Sequence, residues 1–203
     1  GYSLNLAAFF YDYKDLQIQS FTGTTIIPTN AASARIFGVE FDGSVDLGSS
    51  LTARGGVTWM PKADFRSFPN AAGYRPVITA GGLPSVVADV SGQRLVRAPK
   101  VSAVASVTYT GRVGSGDLTI TPSVHYSSQF LPYDAFDLLV QGAYARVAAE
   151  IAYKPDNSGL RLALWVHNLT NAKSFSSTTI SAGAARATYE EPREFGITVG
   201  YDF

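Results

Sequence analysis

The residues most able to do chemistry are two histidines and the hydroxyl and carboxylate groups near the first of them. His125 is followed by Ser127, Asp134 and Asp137, a set that could supply base, nucleophile and orienting acid for hydrolysis if the fold brought the groups within hydrogen-bond reach. His167 lies far downstream, and with no cysteine in the chain the two histidines lack a third ligand for a metal. A histidine on a polar surface is more often a hydrogen-bonded filler than a catalyst, so a hydrolase stands only as a rival reading. No Gly-rich phosphate loop opens a helix, and no cofactor is expected.

Binding chemistry has better candidates. The stretch Pro61 to Pro99 holds Phe65, Arg66, Phe68, Tyr74, Arg75, Arg94 and Arg97, and aromatics mixed with arginines suit an anionic or aromatic ligand such as a ferric chelate. The competing use is internal: the same residues could pack the loop against its neighbours. A second group, Glu40, Asp42, Arg54, Arg146, Glu150 and Arg161, is of mixed sign and sits at polar positions of alternating segments. Such charges pair across strands or with whatever fills an enclosed interior.

The elements that must position these groups are strands. Phe195, Ile197, Val199, Tyr201 and Phe203 alternate with Gly196, Thr198, Gly200 and Asp202, a period of two that only a strand sorts onto separate faces. The same period runs through Phe37, Val39, Phe41; Leu51, Ala53, Val57, Trp59; and Val101, Ala103, Ala105, Val107, Tyr109. It continues in Leu118, Ile120, Val124, Tyr126; Ala145, Val147, Ala149, Ile151, Tyr153; and Leu160, Leu162, Leu164, Val166. With the opening segment Leu4 to Ile18, the pattern predicts about eight strands of roughly ten residues, the length a tilted membrane strand requires.

Composition points the same way. Only 16% of the 203 residues are charged while 46% are apolar and 12% aromatic, too few charges to coat a soluble domain comfortably. No apolar run is long enough for a transmembrane helix, so membrane residence would have to be by strands. The net charge of zero offers no reason to expect nucleic acid as partner. The chain opens directly on the Leu4, Leu6, Ala8, Phe10 pattern with no leader-like segment, which is expected of a piece lacking its signal peptide.

Connections alternate in length. Long stretches are expected at Phe21 to Ser33, Pro61 to Pro99 and Asn168 to Thr188, with a middling one at Phe130 to Asp137; short ones fall at Asp46 to Ser50, Gly111 to Asp117 and Lys154 to Gly159. Outer-membrane barrels have that asymmetry, with short periplasmic turns and longer extracellular loops. A soluble sandwich or lipocalin-like barrel would share the period but point its apolar face inward. Against it, Trp59, Tyr109, Tyr126, Tyr153, Tyr201 and Phe203 gather near strand ends, and all five lysines lie in turns or near strand ends.

Several local patterns then resemble, in order, the C-terminal part of a TonB-dependent outer-membrane receptor. They are Ala8-Phe9-Phe10-Tyr11-Asp12-Tyr13-Lys14-Asp15-Leu16-Gln17, then Asn30 leading to Gly38-Val39-Glu40-Phe41, then Arg97-Ala98-Pro99-Lys100. Val166-His167-Asn168-Leu169-Thr170-Asn171 and Pro192-Arg193-Glu194-Phe195-Gly196 through Phe203 complete the series. The resemblance implies an all-β fold: residues 1–203 as an antiparallel transmembrane β-barrel segment of about eight strands, the C-terminal part of a plugged barrel of about 22. Plug domain and signal peptide would be absent, on the order of 500 further residues at roughly 25 per strand and connection.

By the same resemblance the function is TonB-dependent uptake of a scarce nutrient such as a ferric siderophore across the outer membrane of a Gram-negative bacterium. The implied partners are outer-membrane lipid, the plug domain, TonB through the missing N-terminal part, the barrel-assembly machinery and a small ligand. Glu194, Gly196, Val199, Tyr201 and Phe203 resemble the signal that the assembly machinery reads on a last strand. Glu40, Asp42, Arg54, Arg146, Glu150 and Arg161 would face the lumen and the plug. The competing architecture is a complete eight-stranded barrel serving as anchor, adhesin or narrow pore, which requires the first strand to pair with the last.

Overall fold

A computed structural model of the chain describes residues 1–22, 25–75, 79, 81–181 and 184–203, with backbone only between residues 18 and 31. Every regular element in it is a strand, and among the described residues no helix is long and apolar enough to cross a membrane. The strands are β1 (Tyr2–Thr22), β2 (Thr25–Asp46), β3 (Leu51–Ser67), β4 (Ala71–Tyr74), β5 (Ser85–Ala88) and β6 (Val101–Val113). They continue as β7 (Gly116–Ser127), β8 (Tyr144–Pro155), β9 (Leu160–His167), β10 (Phe175–Ser181), β11 (Ala184–Tyr189) and β12 (Glu194–Tyr201).

Eight of them form one antiparallel sheet in the order β1-β2-β3-β6-β7-β8-β9-β12, and β4-β5 and β10-β11 are separate hairpins. The expected eight strands are therefore present. β1 and β12 are the two edges of the sheet, so these strands do not close on themselves, contrary to the complete small barrel.

The register makes the period of two into two continuous faces. On one, Leu6 pairs with Phe41, Phe41 with Val57 and Val57 with Ala103. Farther along the same face, Ile120 pairs with Ile151, Ile151 with Leu164 and Leu164 with Ile197. Directly paired residues share a face, so each apolar set extends the next. Leu6, Leu164 and Ile197 are exposed at 75%, 57% and 72%, an apolar surface far larger than a soluble protein tolerates.

Aromatics close this band at both ends. Trp59, midway along β3 and opposite Val101 at the start of β6, and Tyr126, near the loop-side end of β7, mark one side, and Tyr109, Tyr153 and Tyr201 lie towards the turn-side ends of β6, β8 and β12. Phe195 to Tyr201 and Trp59 to Leu51 are separated by six and eight residues, about 20–26 Å along a strand at roughly 3.3 Å per residue. That fits the outward apolar band of about 25 Å of an outer-membrane barrel.

The short connections turn where left-handed backbone is available, at Gly48, Gly114, Asn157 and Gly159. On this side Arg112 pairs with Asp117 at 3.1 Å and with Asp156 of the next turn, and Lys154 pairs with Asp202 at 3.4 Å. The Arg112 guanidinium, mainly by hydrogen bonding, holds the Asp156 carboxyl below its ordinary value.

The long connections depart from expectation. Phe21 to Ser33 is not a loop: the β1-β2 ladder continues from Leu16↔Ala32 to Thr22↔Thr25, in a stretch rich in β-branched residues such as Ile26, Ile27 and Thr29. β1 and β2 are thus 21 and 22 residues long rather than about ten, which places Lys14 inside a strand, beside a bulge where Asp15 takes φ 55°. Pro61 to Pro99 and Asn168 to Thr188 each contain a hairpin. Hairpins satisfy backbone groups that a structureless loop would leave to water.

Candidate functional site

The second face of the sheet carries the polar residues. Asn5, Asp42, Gly56 and Val104 share it by register, as do His125 and Arg146. All six charged candidates stand on it: Glu40 opposite Thr58, Arg54 opposite Ser106, Glu150 opposite Thr121 and Arg161 opposite Gly200, together with Asp42 and Arg146. Four have partners. Asp42 Oδ2 accepts from Asn5 Nδ2 at 2.9 Å, Arg146 pairs with Glu190 at 3.1 Å, and Glu150 and Arg161 pair with each other. A concavity of about 690 Å³ runs over this face between Arg54, His125, Arg146 and His167.

The candidate triad does not assemble. Ser127 donates to the carbonyl of Ser128 at 3.0 Å, Asp134 accepts the Phe136 amide at 3.1 Å, and His125 meets the edge of the Tyr144 ring at 5.7 Å. Burial, aided by Asp137, raises the Asp134 carboxyl above its ordinary value, and the bond from Phe136 opposes the shift. His167 stacks on Trp165 with ring centres 4.5 Å apart. Among the described residues no group of three or more His, Asp and Glu is placed to hold a metal.

Above the polar face the long connections build two small cores. Phe65, Phe68, Ala71 and Val90 pack with Ala32 and Ala135, while Tyr74 packs with Leu83 and Ile180. Three proposed ligand contacts are corrected here. Phe65, Phe68 and Tyr74 are at most 9% exposed, so their rings are spent on loop packing, the competing use raised by their composition.

Arg66 is exposed but turned to Asp12, with 3.4 Å between Nη1 and Oδ2. Arg94 is a brace. Its Nη2 donates to Met60 O and its Nε to Ala98 O, both at 2.6 Å, and Asp64 lies 4.0 Å away. Burial draws its guanidinium below the ordinary value, with Asp64 opposing. Arg75 is exposed, its amide bonded to Pro84 O at 3.1 Å.

Two arrangements go beyond what the sequence motifs show. Arg97 adopts φ 54°, a left-handed conformation costing on the order of 1–3 kcal/mol for a non-glycine residue. The segment Phe130 to Asp137 holds it there, since Leu131 O accepts its amide at 2.7 Å and Pro132 O accepts its Nε–H at 3.0 Å. Left-handed backbone at an arginine has no composition signal.

The second is the knot around Asn168, which is 2% exposed with φ 48°. Its Nδ2 donates to Ala172 O and Glu191 O, both at 3.0 Å, and its Oδ1 accepts the Ala172 amide at 2.8 Å. Asn171, also left-handed at φ 50°, accepts the Arg193 amide at 3.2 Å, and Thr170 Oγ1 donates to Ala145 O at 2.7 Å. The Asn-Leu-Thr-Asn element thus fastens the end of β9 to the Pro192-Arg193 lead into β12.

In β12, Glu194 pairs with His167 and Gly196 with Trp165 on the polar face, while Val199 and Tyr201 lie on the apolar one. A Cβ on Gly196 would fall inside the indole of Trp165, and one on Gly38 would strike the Phe9 ring. Phe203, beyond the last pairing, meets Tyr201 edge-on with ring centres 5.2 Å apart.

Comparison with known proteins accounts for this arrangement. The family model described as TonB dependent receptor-like, beta-barrel matches residues 1–169, and the chain belongs to that family. None of the curated proteins matches it in sequence. Among solved structures, the ferric yersiniabactin uptake receptor FyuA from Yersinia pestis is similar over 100% of this chain and 28% of its own, at 20% identity and a TM-score of 0.76. The siderophore receptor PiuA from Acinetobacter baumannii is similar over 98% of this chain and 26% of its own, at 20% identity and a TM-score of 0.70. The ferric preacinetobactin receptor BauA from the same organism is similar over 100% of this chain and 27% of its own, at 19% identity and a TM-score of 0.66. The chain therefore spans about a quarter of the length of these relatives. At such identities the likeness establishes the fold.

Proposed function

We propose that the chain forms part of the wall and the extracellular loops of an energy-coupled outer-membrane receptor that imports a ferric chelate. The observation that carries this reading is the pair of continuous faces in a member of this family: an exposed apolar band bounded by aromatics, backed by a polar face with mixed charges. In lipid such a sheet satisfies its backbone only when its edges are paired, so β1 and β12 meet further strands of the same barrel.

The apolar band contacts outer-membrane lipid, and the polar face looks into the lumen. There Glu40, Asp42, Arg54, Arg146, Glu150 and Arg161 meet one another and a plug domain, and coupling to TonB runs through that plug. The β12 residues Glu194, Gly196, Val199, Tyr201 and Phe203 present the terminal strand to the barrel-assembly machinery. The protein is a transporter rather than an enzyme. Its cargo is the iron complex, bound by loops and released inward.

The test is uptake of ⁵⁵Fe-labelled chelates by Gram-negative cells expressing the full-length protein, with and without TonB. Accumulation that needs both proteins supports the reading. Equal accumulation without the receptor or without TonB overturns it.

A further inference from the structure

Between the loop before β6, the segment joining β7 to β8 and strand β10 lies a cavity of about 280 Å³ at the loop end of the polar face. Its lining differs in kind from the larger concavity beside it. That concavity mixes Arg54 and Arg146 with Asp42 and Glu191. The smaller one has Arg97 and His125, the rings of Phe130 and Phe175, and six hydroxyl side chains that include Tyr144 and Ser177, with no Asp or Glu among its described lining.

Arg97 is what gives this cavity its character. Arg66, Arg94, Arg112, Arg146 and Arg161 each face a carboxylate. Arg97 faces none among the described residues, and its backbone amide and Nε are tied to the carbonyls of Leu131 and Pro132. Its terminal nitrogens keep their donors, on a residue held in a conformation that arginine rarely adopts. Backbone strain maintained by its surroundings marks a position fixed for use. Ser127, Ser176 and Ser177 are bonded within the chain, whereas Thr178 Oγ1 is buried without a partner; a planar guanidinium favours paired oxygens of one anion, and phenyl walls favour a flat ring.

We infer that this cavity is a subsite for one flat aromatic unit bearing ionised oxygens, a catecholate or phenol-carboxylate ring, with Arg97 as its anchor. The volume is just under the roughly 300–1,000 Å³ of pockets that enclose a whole drug-sized ligand. It suits one ring of a larger chelate, the remainder lying over the lumen. The inference rests on the chelate-uptake reading and narrows it to anionic aromatic chelates.

The experiment uses the full-length receptor in detergent, with 2,3-dihydroxybenzoate as probe and 1,2-dimethoxybenzene as its uncharged counterpart, both read by saturation-transfer NMR. R97Q removes the charge while keeping a donor for Pro132, and R97K keeps the charge without the planar fork. Heat-modifiability on gels confirms that each is folded. Dihydroxybenzoate should bind the parent and weaken roughly tenfold in R97Q, with R97K between, because a charge-assisted hydrogen bond is lost. The uncharged ring should bind poorly throughout. Equal binding by parent and R97Q, equal binding of the two probes, or no dihydroxybenzoate binding by the parent overturns the subsite. TonB-dependent uptake of a ferric tris-catecholate is measured in parallel. Uptake unchanged in R97Q removes the subsite and leaves transport standing; Arg97-dependent binding without uptake does the reverse.

Discussion

At the scale of single residues, polar side chains decide where the backbone may leave the sheet. Asn168 satisfies three backbone groups from a buried, left-handed position, and alanine there would orphan them. N168A should cost about 1–3 kcal/mol, read as a lower unfolding midpoint in urea with lipid vesicles. Asp134 sets a pH dependence. Its folded pKa is raised, so the native state binds the proton more tightly than the unfolded chain. Its contribution to stability is complete below the unfolded value near 3.8 and is lost as pH rises through the folded one. The segment Phe130 to Asp137 should therefore resist proteolysis better at pH 4 than at pH 7, and D134N should flatten that difference. The sequence exposed the motif around Asn168 but not its partners, because Glu191 and Arg193 are reached only through the returning hairpin. The arginines and aromatics of the large loop were visible as types, and their assignment to packing, bracing or binding depended on neighbours dozens of residues away.

At the scale of elements, the membrane-spanning strands were the legible part. A period of two is local, and lipid on one side with polar groups on the other leaves it uncorrupted by tertiary context. The extramembrane extensions were not legible, since the stretch from Phe21 to Ser33 mixes Gly23, Pro28 and Asn30 with β-formers and reads equally as loop. Packing between strands sets a further constraint that the pattern does not show. Gly196 opposes Trp165 across β9 and β12, so its lack of a side chain seats an indole as well as completing a terminal motif. G196A should destabilise the final hairpin by about 1–3 kcal/mol through overpacking, and W165A should relieve much of that in the double variant. Equal losses from G196A with and without Trp165 would separate the glycine from the ring.

At the scale of the whole molecule, the sheet has a lipid-compatible face and two open edges, β1 and β12. Produced alone in detergent, the 203 residues should pair edge to edge into oligomers. Cysteines introduced at Ala7 and Thr198 should cross-link between copies of the isolated chain. If the proposed larger barrel is right, the same cysteines should stay apart in the full-length receptor, because further strands would occupy both edges; a 7–198 cross-link within one full-length chain would show a ring of eight and overturn the larger barrel.

The length of β1 and β2 has a consequence for what meets the protein from outside. From Phe10, at the rim of the apolar band, to Thr22 there are twelve residues, about 40 Å of ribbon at roughly 3.3 Å each. β3 flanks this ribbon as far as Ser33↔Ser67, so the part that is two-stranded runs from Leu16 to Thr22, about 20 Å at the same rise; in the proposed orientation it would be a mast that lifts an epitope clear of the sugars that screen a bacterial surface. Antibodies raised against its upper part should decorate intact cells, whereas antibodies against the Asp156 to Gly159 turn should bind only after the envelope is opened.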